Sequence, residues 1–350
     1  MPRQPTQLLL ILIAIAISGG TIGTRASAAP LALVLPTKNR ALFTPHQSQF
    51  YMHTDRTFEG RASKPWTGGK FGYVRNPIRT KSGIVYTKFH EGVDIRPFNR
   101  DARGNPLDKV HAISRGTVAY VSSIAGRSNY GKYIVIEHDW GYGKFYSLYA
   151  HLMTTEVKRG DRVGPGSIIG RLGYTGAGIN RTRAHLHLEI NMVLTTGFKR
   201  WHDRNFKSPN YHGLYNGLNL VGIDVAGLYD AHRRNPNITI PQFIARMSPY
   251  FKVTVPKTGK LEVLQNYPWL GRNMSQAIDN PSWEITFSSS GVPLAVGPSW
   301  MKVSTPAISW VKYSPVAHAY NTKRRLTGSG NTAQLTSAGL QYVQLIAGQF

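Results

Sequence analysis

The sequence predicts an all-β domain, a small antiparallel β sandwich or barrel-like sheet with an open groove. A mixed, β-rich C-terminal region follows it. Two observations carry this reading. From Lys70 to Met192, short apolar runs of strand length alternate with glycine turns. The chain holds 35 glycines and 21 prolines, a turn-rich composition that suits sheets better than helical bundles. It holds no cysteine among its 350 residues, so a hydrophobic core must stabilise it without disulfides. The same absence excludes cysteine-based zinc sites, thiol catalysis and a lipidated N-terminal cysteine.

Residues 1–28 read as a secretory signal. Arg3 supplies the positive start, Leu8 to Ile17 an uninterrupted apolar run, and Ala26-Ser27-Ala28 a small-residue cleavage site. The run is about half of the ~20 residues a spanning helix needs, so no stable membrane span is expected after cleavage. An uncleaved anchor is the alternative, which Arg25 beside the cleavage site keeps open.

Residues 29–69 are interrupted by proline and polar residues and read as a linker or N-terminal extension. Residues 70–195 form the predicted β domain. Its strands are expected at 116–121, 133–137, 145–149 and 167–170, split by turns such as Trp140-Gly-Tyr-Gly143 and Gly164-Pro-Gly166. Residues 196–350 form an accessory region of unassigned role. Helices are expected at 224–233 and 241–247, and strands at 251–255, 261–265, 283–287, 308–312 and 340–346. The Ser/Thr/Gly stretch 327–337 reads as a loop. The basic and aromatic run 199–207 reads as a solvated domain junction.

Charge narrows the partner. Forty-two Lys and Arg against 17 Asp and Glu give a formal net charge of +25. Such a chain meets nucleic acid, an anionic membrane or an anionic wall polymer. Export favours the wall polymer, and no nucleic-acid partner is expected.

Three segments carry chemistry. In His90-Glu-Gly-Val-Asp94, Gly92 and Val93 disfavour a helix, which places His90 and Asp94 at a turn entering a strand. One imidazole and one carboxylate are both good zinc ligands. Taken alone, a surface His and a turn Asp explain that spacing as well. In Ala184-His-Leu-His-Leu-Glu189, strict alternation marks a strand. His185 and His187 then share a face while Leu186 and Leu188 point to the core. In Tyr149-Ala-His151-Leu152, alternation puts Tyr149 and His151 on one face. His90, Asp94 and His187 thus make a candidate two-His-one-carboxylate set, leaving His151 and His185 for proton or oxyanion work. Catalytic zinc keeps three protein ligands and an open position.

These three segments in this order resemble the lysostaphin/LytM-type zinc metallopeptidases, the peptidoglycan endopeptidases. Gly92-Val-Asp-Ile95, Tyr130-Gly-Lys-Tyr-Ile-Val-Ile-Glu-His138, Gly160-Asp-Arg-Val-Gly164 and Gly173-Tyr-Thr-Gly176 resemble that family's framework. The resemblance covers roughly residues 70–192. It implies one zinc ion held by His90, Asp94 and His187, with His151 and His185 as the two catalytic histidines. It also implies an exported endopeptidase, periplasmic or at the cell wall, that cuts cross-links or stem peptides of peptidoglycan. The alternative is a non-catalytic envelope module that binds the wall or regulates another hydrolase; it predicts a broken ligand set. The stretch 176–184 departs from the family by being rich in Asn and Arg. The family's groove-bordering loop lies here, so Arg181 and Arg183 could meet carboxylates of a stem peptide or simply face solvent. Glu189 could orient His187 or form a surface salt bridge, and Tyr149 could border the cleft or pack. His138 and His111 read as structural.

Overall fold

The computed structural model describes residues 31–259 and 261–350, so the signal segment lies outside the described residues. A hairpin opens the β domain: β1 (Gly72–Thr80) pairs antiparallel with β2 (Gly83–His90), and β3 (Val93–Ile95) follows at once. Next come β4 (Lys109–His111), β5 (Gly116–Ser122), β6 (Tyr133–Asp139), β7 (Lys144–Ala150), β8 (Leu152–Thr155), β9 (Arg162–Val163), β10 (Ile168–Leu172) and β11 (Leu186–Val193). Helix α1 (Phe198–Asn205) leads to β12 (Leu220–Gly222).

The main sheet has seven strands. Its path is β9-β5-β6-β7-β11-β12, with β3 also pairing β11. A second sheet runs β8-β10-β4. Every named pairing in both sheets is antiparallel. The fold is therefore the β-rich one that the glycine-split apolar runs predict.

Alternation sets the two faces of the main sheet. Leu186, Leu188 and Ile190 of β11 are fully buried in the principal core, with Ile134 and Ile136 of β6 and Tyr149 of β7. The opposite face carries a smaller apolar cluster of Tyr133, Val135, Tyr146, Leu148 and Ala150, capped by Tyr215. Both faces are thus covered, which is why β6 and β7 read as nearly continuous apolar runs.

The stretch 29–69 carries buried side chains from Leu31 onward: Leu42, Phe50, Tyr51 and Met52 join Leu31 in being nearly inaccessible. Its backbone is tied to β3, Met52 N–H donating to the Asp94 carbonyl at 2.7 Å and Arg96 N–H to the Phe50 carbonyl at 2.8 Å.

Beyond residue 195, α2 (Val225–Arg234) lies within one residue of the expected helix, while α3 (Ile240–Ile244) starts one residue early and ends three short of its expected end. Asp224 caps α2 by accepting from Gly227 N–H, and Thr239 with Gln242 forms a capping box on α3. A four-stranded sheet follows, in the order β15-β14-β13-β16: β13 (Phe251–Pro256), β14 (Ser282–Phe287), β15 (Pro293–Ser299) and β16 (Ala307–Val311).

Two expected strands are helices instead. Residues 262–265 of the first fall in α4 (Glu262–Asn266), and 340–346 fall in α6 (Ser337–Ala347); the short α5 (His318–Asn321) lies between them in sequence. In α6 the chain signals helix at both ends. Thr336 accepts from Gly339 N–H, and Gly348 closes the helix at φ 67°. A single apolar cluster runs from Leu31 through β11 to Ile346 without dividing at residue 195.

Candidate metal centre

Two chain crossings build the site. β2 ends at His90, and the chain turns through Gly92 into β3. A side chain at Gly92 would press on the Leu188 carbonyl oxygen and come within 2.8 Å of Glu189 Cγ, so only glycine lets β3 approach β11. That approach puts Asp94 directly opposite His187 in the β3–β11 register. Alternation then places His187 and Glu189 on the sheet face away from the core leucines.

The donor atoms converge. Asp94 Oδ1 lies 3.0 Å from His90 Nε2, 2.9 Å from His187 Nδ1 and 3.3 Å from His185 Nε2. His90 Nε2 and His187 Nδ1 are 3.1 Å apart. The His151 ring centre is 4.8 Å from that of His185 and 5.8 Å from that of His187. All five side chains are buried.

Outward acceptors fix the tautomers. A carbonyl or carboxylate oxygen only accepts, so the nitrogen facing it carries the proton. His90 Nδ1 donates to the Lys70 carbonyl at 2.9 Å, His151 Nδ1 to Thr175 at 2.8 Å, and His185 Nδ1 to Arg183 at 2.6 Å. His187 Nε2 donates to Glu189 Oε1 at 2.7 Å. In its neutral, metal-binding form each imidazole is left with one bare nitrogen, and those of His90, His185 and His187 lie beside Asp94 Oδ1. Lone pairs facing lone pairs at about 3 Å repel unless a cation lies among them.

Electrostatics agree. Burial alone would raise the Asp94 carboxyl, but His185, His90 and Arg75 outweigh it and hold the group well below the usual carboxylate range. Burial opposes protonation of His187, yet its hydrogen bonds to Asp94 and Glu189 push it up to about 10, so without a metal a proton on Nδ1 is the cation that meets Asp94. The pair of carboxylates flanking His187 therefore attracts positive charge. Burial, with His185 and His187 beside it, lowers His151 well below the ordinary imidazole value, so it stays a neutral base.

Nitrogen and carboxylate oxygen are zinc's preferred donors where cysteine is absent. Tetrahedral ligands at about 2.0–2.1 Å from the ion lie about 3.3 Å from one another. His90, Asp94 and His187 are each buried, and one donor atom from each lies within 4.8 Å of the others. The residues fit a zinc ion. Glu189 holds His187 from outside, as carboxylates do behind metal-bound imidazoles. Tyr130 OH and Asn191 Nδ2 donate to Glu189 in turn, both at 2.8 Å.

The structure brings together all five residues singled out by the sequence, but Tyr149 is not beside His151. Tyr149 is fully buried on the core side, its hydroxyl accepting from Ile113 N–H at 2.9 Å. β7 ends at Ala150, and His151 adopts φ 61°, which turns its ring to the groove. Alternation fails where the strand stops. A left-handed backbone is costly for a residue other than glycine, and such strain persists where the surroundings impose it.

Arg75 is the residue the sequence did not offer. Its Nη2 donates to Asp94 Oδ2 at 2.5 Å and its Nε to the Gly68 carbonyl at 2.8 Å. Nineteen residues separate it from Asp94, with no motif between them to mark the pairing. Glu91, which alternation points away from His90, pairs instead with Lys323 near α5 at 2.5 Å.

A groove of about 830 Å³ contains the site. Its lining includes Arg127 to Tyr130, Ala177 to Ile179, Arg183, and residues between 202 and 220.

Residues 88–197 match the sequence profile of Peptidase family M23. Solved structures similar to the chain include the catalytic domain of the antimicrobial peptidase lysostaphin from Staphylococcus simulans. It is 32% identical, with 36% of this chain and 82% of that one covered and a TM-score of 0.24. LytU is 28% identical over 35% of this chain and 69% of that one, with a TM-score of 0.25. The catalytic domain of the prophage-encoded M23 protein EnpA from Enterococcus faecalis is 24% identical over 33% and 77%, with a TM-score of 0.24. No curated protein sequence matches the chain.

Proposed function

We propose that the chain, which belongs to peptidase family M23 through residues 88–197, is an exported zinc-dependent endopeptidase. Its substrate is a peptide of peptidoglycan, in a cross-link or a stem. The observation that carries this reading is the convergence of His90, Asp94 and His187 beside His151 and His185 in one open groove.

His90 Nε2, Asp94 Oδ1 and His187 Nδ1 would hold the zinc ion. When bound, it supplies Lewis-acid polarisation of a carbonyl and of an attacking water. The remaining steps belong to the chain. His151, kept neutral by burial, has Nε2 free to take a proton from that water. His185, tied to the Arg183 carbonyl through Nδ1, presents Nε2 to the same space. Once protonated, either ring can donate to the developing oxyanion or to the leaving amine. Glu189 and Arg75 orient His187 and Asp94 from behind.

The signal-like segment 1–28 and the +25 charge suit export to an anionic wall. Among the described residues no helix is long and apolar enough to cross a membrane.

The test is digestion of purified peptidoglycan, with products read by mass spectrometry. Untreated, chelated and His187→Ala proteins run side by side. New amine termini should form with the untreated protein, vanish on chelation, return with added zinc, and be absent with His187→Ala. Wall binding without release by the zinc-loaded chain would overturn hydrolysis in favour of a binding module.

A further inference from the structure

The metal groove does not end at the metal. A second cavity, about 460 Å³, is lined by Thr54, Asp55, Arg56, Asn76 and Pro77 and shares Arg75, Lys88 and Arg183 with the groove. Four of its lining side chains are cations and one is an acid. Two of the cations are engaged by carboxylates, Arg75 by Asp94 at 2.5 Å and Arg183 by Asp55 at 3.8 Å. Arg56 donates to the neutral Val74 carbonyl at 2.8 Å and lies over the Tyr86 ring. Lys88 is exposed and has no ion pair among the described residues. Two positive charges therefore face the cavity unbalanced.

We infer that this cavity is a carboxylate subsite: it takes a peptide bearing a free carboxylate within about two residues of the cleaved bond. The inference rests on the proposed peptidase reading and names its substrate more closely. Distance sets the reach. Arg75 touches Asp94, so the cavity begins one side chain from the metal group, and an extended peptide advances only about 3.3 Å per residue. Chemistry sets the class. Arg183 and Arg56 bring guanidinium groups suited to planar anions, and Lys88 adds a mobile point charge. A bridge of uncharged residues would leave these cations unanswered.

The test compares two substrates: cross-linked stem peptides with free carboxylates, and the same peptides with those groups converted to carboxamides. Amidation should raise KM about tenfold, the worth of one charge-assisted hydrogen bond, with kcat changed much less. Lys88→Met should narrow the KM ratio at least threefold, whereas Lys302→Met, on the exposed C-terminal surface, should leave it alone. Equal KM for the two peptides, or an unchanged ratio in Lys88→Met, would sink the subsite while hydrolysis stands. If neither peptide is cut, calorimetric titration with the same pair still decides. Tighter binding of the carboxylate form, weakened by Lys88→Met, supports the subsite even though the peptidase reading fails. Equal binding overturns it.

Discussion

Each imidazole of the site is useful because something outside the site holds its other nitrogen. Three of the holders are backbone carbonyls, of Lys70, Thr175 and Arg183, and the fourth is the Glu189 carboxylate. Glu189 is the one that a substitution can remove. Glu189→Gln keeps the shape but loses the charge behind His187 and leaves Tyr130 OH facing a neutral amide. Zinc affinity should fall about 10- to 100-fold, as for other carboxylates behind metal-bound histidines. Titration against a competing chelator measures it, and an unchanged affinity would show that Glu189 does not support the ligand. The sequence exposed one half of this arrangement. His185, His187 and Glu189 are legible because a strand repeats every second residue. His90 and Asp94 are weak by spacing alone and became legible only through the order in which they precede Tyr149–Leu152 and His185–His187. Arg75 and the carbonyls were not legible. A contact between distant residues leaves no periodic mark, and a carbonyl has no residue type.

Elements were read well where periodicity and punctuation agreed. β5, β6 and β7 lie within two residues of their expected ends, because glycine turns frame uninterrupted apolar runs. α2 and α3 lie where helices were expected, and the structure shows Asp224 and Thr239 capping them. The two errors, at 261–265 and 340–346, arose from treating short apolar runs as strands. In α6 the apolar positions recur at three- and four-residue spacing, and Thr336 and Gly348 mark its ends. The caps were the stronger signal. α4 is one turn held from outside, its Glu262 accepting from Thr195 Oγ1 and Thr196 N–H, both at 2.6 Å. Capping cannot betray it, since no side chain caps its start.

The crossing from β2 to β3 is the element on which the site depends most. Gly92→Ala should cost about 1–3 kcal/mol, the usual penalty for overpacking a filled core. It should also spread Asp94 from His187, so zinc affinity falls together with the thermal midpoint. Calorimetric melting with and without zinc checks both. A variant as stable and as zinc-avid as the parent would refute the close approach.

At the scale of the whole molecule, composition announced a basic chain of sheets but said little about how its parts share a core. Residue 195 is a boundary in character, where the glycine-split strands give way to basic and aromatic residues. In packing the two sides are joined. β12 completes the main sheet against β11, and Leu220 caps the apolar cluster on the groove face. Val221, Ile223, Leu228 and Phe251 sit in the principal core with Leu188 and Ile190. Tyr267 reaches from the C-terminal region to donate to the Lys144 carbonyl at 2.9 Å and accept from Val193 N–H at 3.1 Å. A chain ending at Thr195 would therefore expose an unpaired edge of β11 and a large apolar surface, a combination that favours aggregation. It should be recovered insoluble, or soluble without the dispersed amide resonances of a packed sheet. A chain ending after α3, at about residue 247, would keep β12 and α2 but still lose Phe251 and Tyr267 from the shared core. It should fold with a lower thermal midpoint than the full chain, and an equal midpoint would show that Phe251 and Tyr267 add nothing to the shared core. A soluble, dispersed and zinc-binding fragment 31–195 would overturn this account. It would make the groove wall at 202–220 an addition to an independent domain, rather than a part of the structure that holds the metal centre together.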